Sequence, residues 1–225
     1  MPATYVVVPA RQRPVSGAAW DDPPWNGAAS LDILHFHPQS SPHRPATRVK
    51  MVYSTTALYG IFHVRDRYVR CVHTKYQSAV YRDACVELFV QPRPDKGYMN
   101  FEMNCCGHLL LRYIEDPTRL PDGAFARQVA VPEHLGRLVQ MSSSLSGPVI
   151  EEIDRPIEWT LAFQIPLRLV EAYVGPLGGL SGQIWRANLH KCAEDNSHPH
   201  WATWAPIGER LDFHQPDKFG TLRFR

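Results

Sequence analysis

The sequence predicts an all-β protein, an antiparallel sandwich of two sheets with at most one short helix. Apolar and polar residues alternate with a period of two in most of the structured segments, and this spacing is typical of strands. Short polar or Pro/Gly-rich stretches separate these segments at short intervals, as turns do. The chain also contains 20 prolines against 14 glycines, and proline interrupts helices and central strands. Many short strands joined by turns favour a sandwich.

The predicted strands follow one another along the chain. In order they are TYVVV, RVKMVY, LYGIFHV, ACVELFV, YMNFEMN, HLLLRYI, EWTLAFQIP, QIWRANLHKC and FGTLRF. The turn STTA predicts a hairpin between the second and third strands, and CCG predicts another between the fifth and sixth. A helix is predicted only over residues 166–175, which combine an early proline, apolar positions at helical spacing and a final glycine.

The expected core follows from the same alternation. In EWTLAFQIP the residues Trp159, Leu161 and Phe163 share one face, and Leu88 lies on the apolar face of ACVELFV. One face of a sandwich strand must pack against the opposite sheet. We therefore expect these four side chains to be buried, with Trp185 beside them.

Length and charge restrict the classes of function. The 225 residues suit one domain spanning residues 1–225, and the net charge of +2 comes from charges spread along the chain. No basic stripe indicates nucleic acid, and no polybasic patch or long apolar run indicates a membrane. The first residues do not resemble a signal peptide, so a cytoplasmic location is expected.

Cysteine and histidine give no metal motif. The five cysteines form no CxxC pair, and their odd number favours free thiols in a reducing compartment. Several histidines lie two positions from another histidine or a cysteine, but no second pair accompanies them at zinc-site spacing. No metal ligand is predicted, and no cofactor; a structural calcium ion near the acidic stretches WDDPPW or AEDNSHP is the one alternative kept open. The histidine and cysteine pairs are His35/His37, His190/Cys192 and His198/His200.

Three predicted strands carry an unusual second face. Opposite their apolar positions they place Glu87, Glu102, Asn104 and Asn188. On alternation alone this second face is either a plain solvated surface, which is the more common case, or a binding surface. Solvated faces usually carry lysine, glutamate, threonine and arginine, whereas these positions carry glutamate and amides beside aromatic residues, with few lysines. Carboxylates accept hydrogen bonds from hydroxyls, amides both donate and accept, and rings cover the apolar face of a sugar. For a binding surface, this chemistry suits a neutral sugar better than a phosphate.

The order of several motifs resembles one family. The motifs are WNGAASLDILHF, YRDACVELFVQP, YMNFEMNCCG, WTLAFQIP, WRANLHKC, WATWAP and FHQPDKFGTLRF. Together they resemble family 9 carbohydrate-binding modules, most closely the stand-alone family 9-like branch, over residues 20–225. The resemblance implies a β-sandwich related to the DOMON group, which holds a sugar between two aromatic rings.

The resemblance also implies particular site residues. Tyr81 and Phe213 match the positions of the two rings, which are often tryptophan in the family, and His214 is adjacent to the second. Glu87 matches the strand carboxylate that accepts from ligand hydroxyls, whereas Glu102 occupies the position of a basic residue. Trp201 and Trp204 are three positions apart, and one of them is expected to line the site. The candidate ligand-binding residues are Tyr81, Glu87, Glu102, Asn104, Asn188, Trp204, Phe213 and His214.

The expected function is non-catalytic carbohydrate binding in the service of carbohydrate catabolism. One alternative is a DOMON-type haem or redox module, in which Met103 pairs with His63 or His190 as an iron ligand. The other is a divergent glycoside hydrolase or its accessory domain, for which Glu87 and Glu102 would have to flank a glycosidic bond about 5–10 Å apart. No catalytic motif supports hydrolysis, so no catalytic residue is predicted.

Overall fold

The computed structural model describes residues 3–14, 17 and 19–225, and these residues form two layers of β-sheet. The first eight strands are β1 (Thr4–Pro9), β2 (Leu31–Ile33), β3 (His35–Phe36), β4 (Ala46–Tyr53), β5 (Ala57–Asp66), β6 (Val69–Cys71), β7 (Cys85–Gln91) and β8 (Tyr98–Asn104). The other eight are β9 (Leu109–Arg119), β10 (Phe125–Ala130), β11 (Gln140–Ser143), β12 (Val149–Ile153), β13 (Ile157–Pro166), β14 (Ile184–Ala193), β15 (His200–Thr203) and β16 (Gly220–Phe224).

The two layers share strand β1. The front sheet has the order β10-β9-β8-β7-β14-β16, with β15 pairing to β14 and β3 to β15. The back sheet has the order β4-β5-β13-β11, with β2 beside β4. The first residues of β1 run parallel to β16, and its last residues run parallel to β4. The other neighbouring strands of the two sheets are antiparallel. A small third sheet joins β6 to β12. The predicted two-sheet sandwich is confirmed.

Both predicted hairpins are present. Strands β4 and β5 pair across the STTA turn, and β8 and β9 pair across the CCG turn. The second turn needs a glycine, because Gly107 has a φ of 84°, which side-chain-bearing residues rarely adopt.

Helix is confined to short segments. Helix α2 (Leu167–Val174) lies inside the predicted range and ends at Gly175. A second helix, α1 (Glu133–Gly136), was not predicted, because a single turn is too short to show helical periodicity. Three 3₁₀ turns cover Trp25–Gly27, Val80–Arg82 and Pro216–Lys218. No helix in the described part of the chain is long and apolar enough to span a membrane.

The core lies between the sheets, as predicted. Trp159, Leu161, Phe163 and Leu88 are at most 3% exposed, and Trp185 is buried with them. The fit is tight at one position, since a Cβ on Gly60 of β5 would overlap the ring of Phe163. A second apolar cluster, with Trp20 and Trp25 over β4 and β5, is also buried.

A buried ion pair links the two sheets. Lys191 of β14 is fully buried, and its Nζ lies 3.4 Å from Asp66 Oδ2 at the end of β5. The Lys191 ammonium also approaches His200 Nε2 at 2.8 Å, and the other oxygen of Asp66 lies 2.8 Å from His43 Nε2. Lysine is rarely fully buried unless it is paired. Here the pair connects the strand in the middle of the front sheet to the back sheet.

Candidate functional site

A cavity of about 310 Å³ opens on the outer face of the front sheet. Its floor comes from β7, β8 and β9, and its walls come from the Val80–Arg82 turn, β15 and the segment before β16. The lining residues are Tyr81, Glu87, Asn100, Glu102, Leu110, Arg112, Arg119, Phe125, Cys192, Glu194, Trp201, Leu211, Asp212, Phe213 and His214.

Strand register brings the two floor carboxyls together. Glu87 of β7 pairs with Glu102 of β8 on one side and with His190 of β14 on the other. Directly opposed residues of an antiparallel pair project to the same face, with Cβ atoms about 5 Å apart. The neighbours of Glu87 in sequence, Val86 and Leu88, face the core. The period of two therefore places both glutamates beneath the cavity.

Each floor glutamate has one oxygen in use and one without a partner. Glu87 Oε1 accepts from the Cys192 thiol at 3.3 Å, and Glu102 Oε1 accepts from the Asn100 amide at 2.5 Å. The Oε2 atoms of both glutamates are buried and have no hydrogen-bond partner among the described residues. A buried oxygen without a partner destabilises a fold by about 1–3 kcal/mol. Both oxygens belong to residues that line the floor of the cavity.

The carboxyls of the floor have raised pKa values. Burial raises the pKa of Glu102 to about 7, against the opposing effects of the Asn100 hydrogen bond and the Arg112 charge. Burial, with Cys192 and Glu102 nearby, raises the pKa of Glu87 well above its usual value. The buried floor therefore disfavours the charged form of both groups. Glu87 is 2% exposed and interacts chiefly with polar groups.

Three aromatic rings line the walls of the cavity above this floor. Tyr81, Trp201 and Phe213 are half-buried, and all three pack against an apolar cluster that includes Leu110 and Cys192. Trp201 pairs directly with Cys192 across β15 and β14, so its side chain projects to the cavity face. These rings supply flat apolar surface beside the polar floor.

Phe213 is held in place from below. Its ring stacks on His190 with a centroid distance of 4.1 Å and an interplanar angle of 5°. Burial first, then the nearby His214, holds the pKa of His190 well below its usual value, so this imidazole is neutral. Neither of its ring nitrogens has a hydrogen-bond partner in the part of the chain that the structure describes. His190 supports the ring from the floor.

Charged groups lie at one end of the cavity. Arg119 covers the ring of Phe125 at 3.9 Å and lies 3.3 Å from the carboxylate of Asp212. Next to them, His214 Nδ1 is 2.8 Å from the hydroxyl of Tyr98. Burial, together with the charges of Arg119 and Arg112, holds the pKa of His214 well below its usual value. Asp212 is shared, because its other carboxylate oxygen lies 3.2 Å from Arg210.

The structure brings together five of the eight predicted site residues. Tyr81, Glu87, Glu102, Phe213 and His214 all line the cavity. Their role in binding a ligand stays a prediction.

The other three predicted residues lie outside the lining of this cavity. Asn188 has the predicted strand face, but its amide bonds to both backbone groups of Ala205, and this segment covers it. The Asn104 amide donates to Asp83 and accepts from the backbone N–H of His108, so it fixes the turn after β8. Trp204 is 8% exposed and packs into the core against Gly220. Of the two tryptophans considered, Trp201 is therefore the one that lines the cavity.

The alternative haem ligands do not converge. Met103 is buried in the core between the sheets, whereas His190 lies on the opposite face of the same sheet. His63 belongs to the back sheet, where it contacts Glu158 and Trp20 on the outer side. Side chains on opposite faces of a sheet cannot share an iron ligand sphere.

The two stretches considered for calcium hold their acidic residues in separate contacts. Acidic residues of the two candidate calcium stretches are paired elsewhere: Asp21 with Lys50, Asp195 with Arg82 and Glu194 with Trp201. Within the described ranges, neither stretch gathers three acidic groups around one point, and no group of potential ligands there contains a histidine.

Several lining residues were missed from the sequence. Arg112 shares a face with Leu110 in HLLLRYI, so the same parity argument would have found it. Arg119 and Phe125 come from the ends of the β9–β10 hairpin, and no local pattern marks them as site residues.

Comparisons with known proteins agree with this fold. A candidate carbohydrate-binding protein from Bacteroides uniformis ATCC 8492 is 29% identical over 100% of both chains, with a TM-score of 0.87. A family 9 carbohydrate-binding module from Caldicellulosiruptor kristjanssonii, solved with glucose, is 14% identical over 98% of this chain and 95% of its own, with a TM-score of 0.64. The same module type solved with cellotriose is 15% identical over 99% and 93%, with a TM-score of 0.63.

At these identities the two modules show similarity of fold alone. No curated protein matches the chain significantly. The sequence model of carbohydrate-binding family 9 matches residues 26–224, which is nearly the whole chain. The chain therefore belongs to carbohydrate-binding family 9.

Proposed function

We propose that the chain binds a neutral saccharide, without cleaving it, in the cavity over Glu87 and Glu102. The observation that carries this proposal is the pair of buried carboxyl oxygens without partners on the cavity floor. Adjacent sugar hydroxyls supply the hydrogen bonds that these oxygens lack. A protonated carboxyl also donates to a hydroxyl, so the two glutamates serve both roles.

The walls support the same ligand class. Tyr81, Trp201 and Phe213 offer ring faces to the apolar C–H surface of a pyranose. Two arginines also line the cavity: Arg119 is paired with Asp212, and the charge of Arg112 acts on the buried Glu102. The test below therefore includes charged sugars. The volume of about 310 Å³ lies at the lower end of the range of ~300–1,000 Å³ for ligand sites. This size favours one or two sugar units.

The positions of the carboxyls favour binding over hydrolysis. A glycosidase places its two carboxyl groups on either side of the scissile bond. Glu87 and Glu102 are adjacent on one floor, so both approach a ligand from the same side. The glucose and cellotriose complexes of the structural neighbours support a glucose-type ligand. A role in carbohydrate catabolism accords with this ligand class.

Isothermal titration calorimetry tests the proposal. The panel contains glucose, xylose, cellobiose and cellotriose, with glucuronate and glucose 6-phosphate as charged counterparts. We expect binding of at least one neutral sugar and weaker binding of its charged counterpart. Tyr81→Ala removes one stacking surface and is expected to weaken binding about tenfold, a change of about 1.4 kcal/mol.

The matched control is Tyr173→Ala, because Tyr173 is a half-buried tyrosine that packs on Tyr113 and does not line this cavity. Wild-type affinity in this control is expected. Failure of every neutral sugar to bind, or equal losses in Tyr81→Ala and Tyr173→Ala, would contradict the proposal. Release of a new reducing end from cellotriose would contradict its non-catalytic part.

A further inference from the structure

Three cysteines meet at the end of β8, on the core side of the front sheet. Cys71 is the last residue of β6, and Cys105 and Cys106 form the turn that follows β8. Cys71 and Cys105 are fully buried, whereas Cys106 is half-buried. The fold thus brings one cysteine to a pair that lies 34 positions further along the chain.

The spacing of the three sulfur atoms fits a single metal ion. All three Sγ atoms lie within 4.8 Å of one another, and those of Cys105 and Cys106 are 4.0 Å apart. A metal–thiolate bond is about 2.3 Å long. In a planar three-sulfur site the sulfur atoms are √3 times that distance apart, which is also about 4.0 Å. The cluster is close to this geometry without rearrangement of the backbone.

The ligand set selects a soft cation. The group contains three sulfurs and, among the described residues, no imidazole or carboxylate within the same distance. Structural zinc sites take four protein ligands. Soft thiolates select monovalent copper, which is stable with three sulfur ligands.

One member of the cluster is open to metal entry. Cys106 is the cysteine that solvent reaches. Metals bind the thiolate form, and binding releases the protons of the thiols.

We propose that Cys71, Cys105 and Cys106 form a binding site for one soft monovalent cation of the Cu(I) type. Binding forms three metal–sulfur bonds and releases up to three thiol protons, with no change in oxidation state. The site is independent of the saccharide cavity, which opens on the other face of the front sheet.

Anaerobic titration of the reduced full chain with Cu(I), in competition with bicinchoninate, tests the site. We expect one tightly held Cu(I) per chain and, by X-ray absorption, about three sulfur neighbours near 2.3 Å. Cys106→Ser is expected to lower the affinity at least tenfold while leaving the thermal midpoint nearly unchanged, because the residue is half-buried.

The matched control is the double variant Cys85→Ala/Cys192→Ala. It removes the two other cysteines, which lie close to Glu87 in a second group. We expect it to keep the tight Cu(I), so loss of copper in this variant with retention in Cys106→Ser would overturn the proposal. A metal with only two sulfur neighbours in the wild-type protein, or no binding tighter than that of bicinchoninate, would also overturn it without reliance on any variant.

Discussion

Replacing Glu102 with glutamine should change how the stability of the protein depends on pH. Glu102 is 5% exposed, and burial is the main reason that its pKa rises from 4.5 to about 7. A folded-state pKa above the unfolded one means that the folded state binds the proton more tightly. The contribution of this group to stability is therefore fully present below pH 4.5 and is lost as the pH rises through about 7.

The expected magnitude follows from the two pKa values. The interval from 4.5 to about 7, at about 1.4 kcal/mol per pH unit, corresponds to about 3 kcal/mol. Glutamine has nearly the same shape and no titrating proton. The free energy of unfolding of Glu102→Gln minus that of the wild type should thus rise by about 3 kcal/mol between pH 4 and pH 8.

Urea unfolding followed by tryptophan fluorescence at half-unit steps from pH 4 to 8 measures this difference. The control is Glu151→Gln, because Glu151 is an exposed glutamate on β12. We expect the plot of its unfolding free energy against pH to stay parallel to that of the wild type. If the Glu102→Gln curve is also parallel to that of the wild type, Glu102 titrates normally in the folded protein, and the raised pKa of this floor carboxyl is refuted.

Four further predictions concern the core, the ion pair and the thiols. Phe163→Ala should lower the free energy of unfolding by about 3–5 kcal/mol in urea. The control Ile184→Ala, at a site that is 58% exposed, should change it by less than about 0.5 kcal/mol. Equal effects would show that the buried and exposed faces are misassigned. Gly60→Ala should destabilise because its Cβ overlaps the Phe163 ring, and adding Phe163→Leu should restore part of the loss in thermal unfolding; no rescue would contradict the overlap. Burial and the charge of Lys191 lower the pKa of His200 from 6.5 to about 3. The contribution of His200 to stability is therefore present above pH 6.5 and is lost as the pH falls towards 3. Over this range the thermal midpoint of His200→Gln should decline less than that of the wild type, and an equal decline would contradict the lowered pKa. Thiol titration of denatured, unreduced protein should find all five cysteines free, and a count of three or one would indicate disulfides.

The floor of the cavity was predictable because strand parity is a local property. The alternation in CVELFV and YMNFEMN fixes the face of Glu87 and of Glu102, and the structure places both beneath the cavity. Their protonation was not predictable in the same way. It depends on burial by walls that come from distant segments, including Trp201 and Phe213.

Parity alone fails where a loop covers the face. Asn188 projects to the same side as His190, yet the segment at Ala205 folds over it and bonds to both its amide nitrogen and its amide oxygen. The choice between Trp201 and Trp204 likewise depends on the pairing of β15 with β14, which no local pattern specifies. Contacts between segments far apart in sequence also create the cluster of Cys71 with Cys105.

The ion pair between Lys191 and Asp66 limits how this chain can change by single substitutions. The net stabilisation by such a pair is small, because both charges lose their hydration. Removing one partner is different, since it leaves the other charge in the core and destabilises by about 3–5 kcal/mol. Apolar residues at both positions would fill the space with little loss, but each single intermediate is strongly destabilised. Positions 66 and 191 are therefore expected to change together, in natural relatives and in redesigned variants alike.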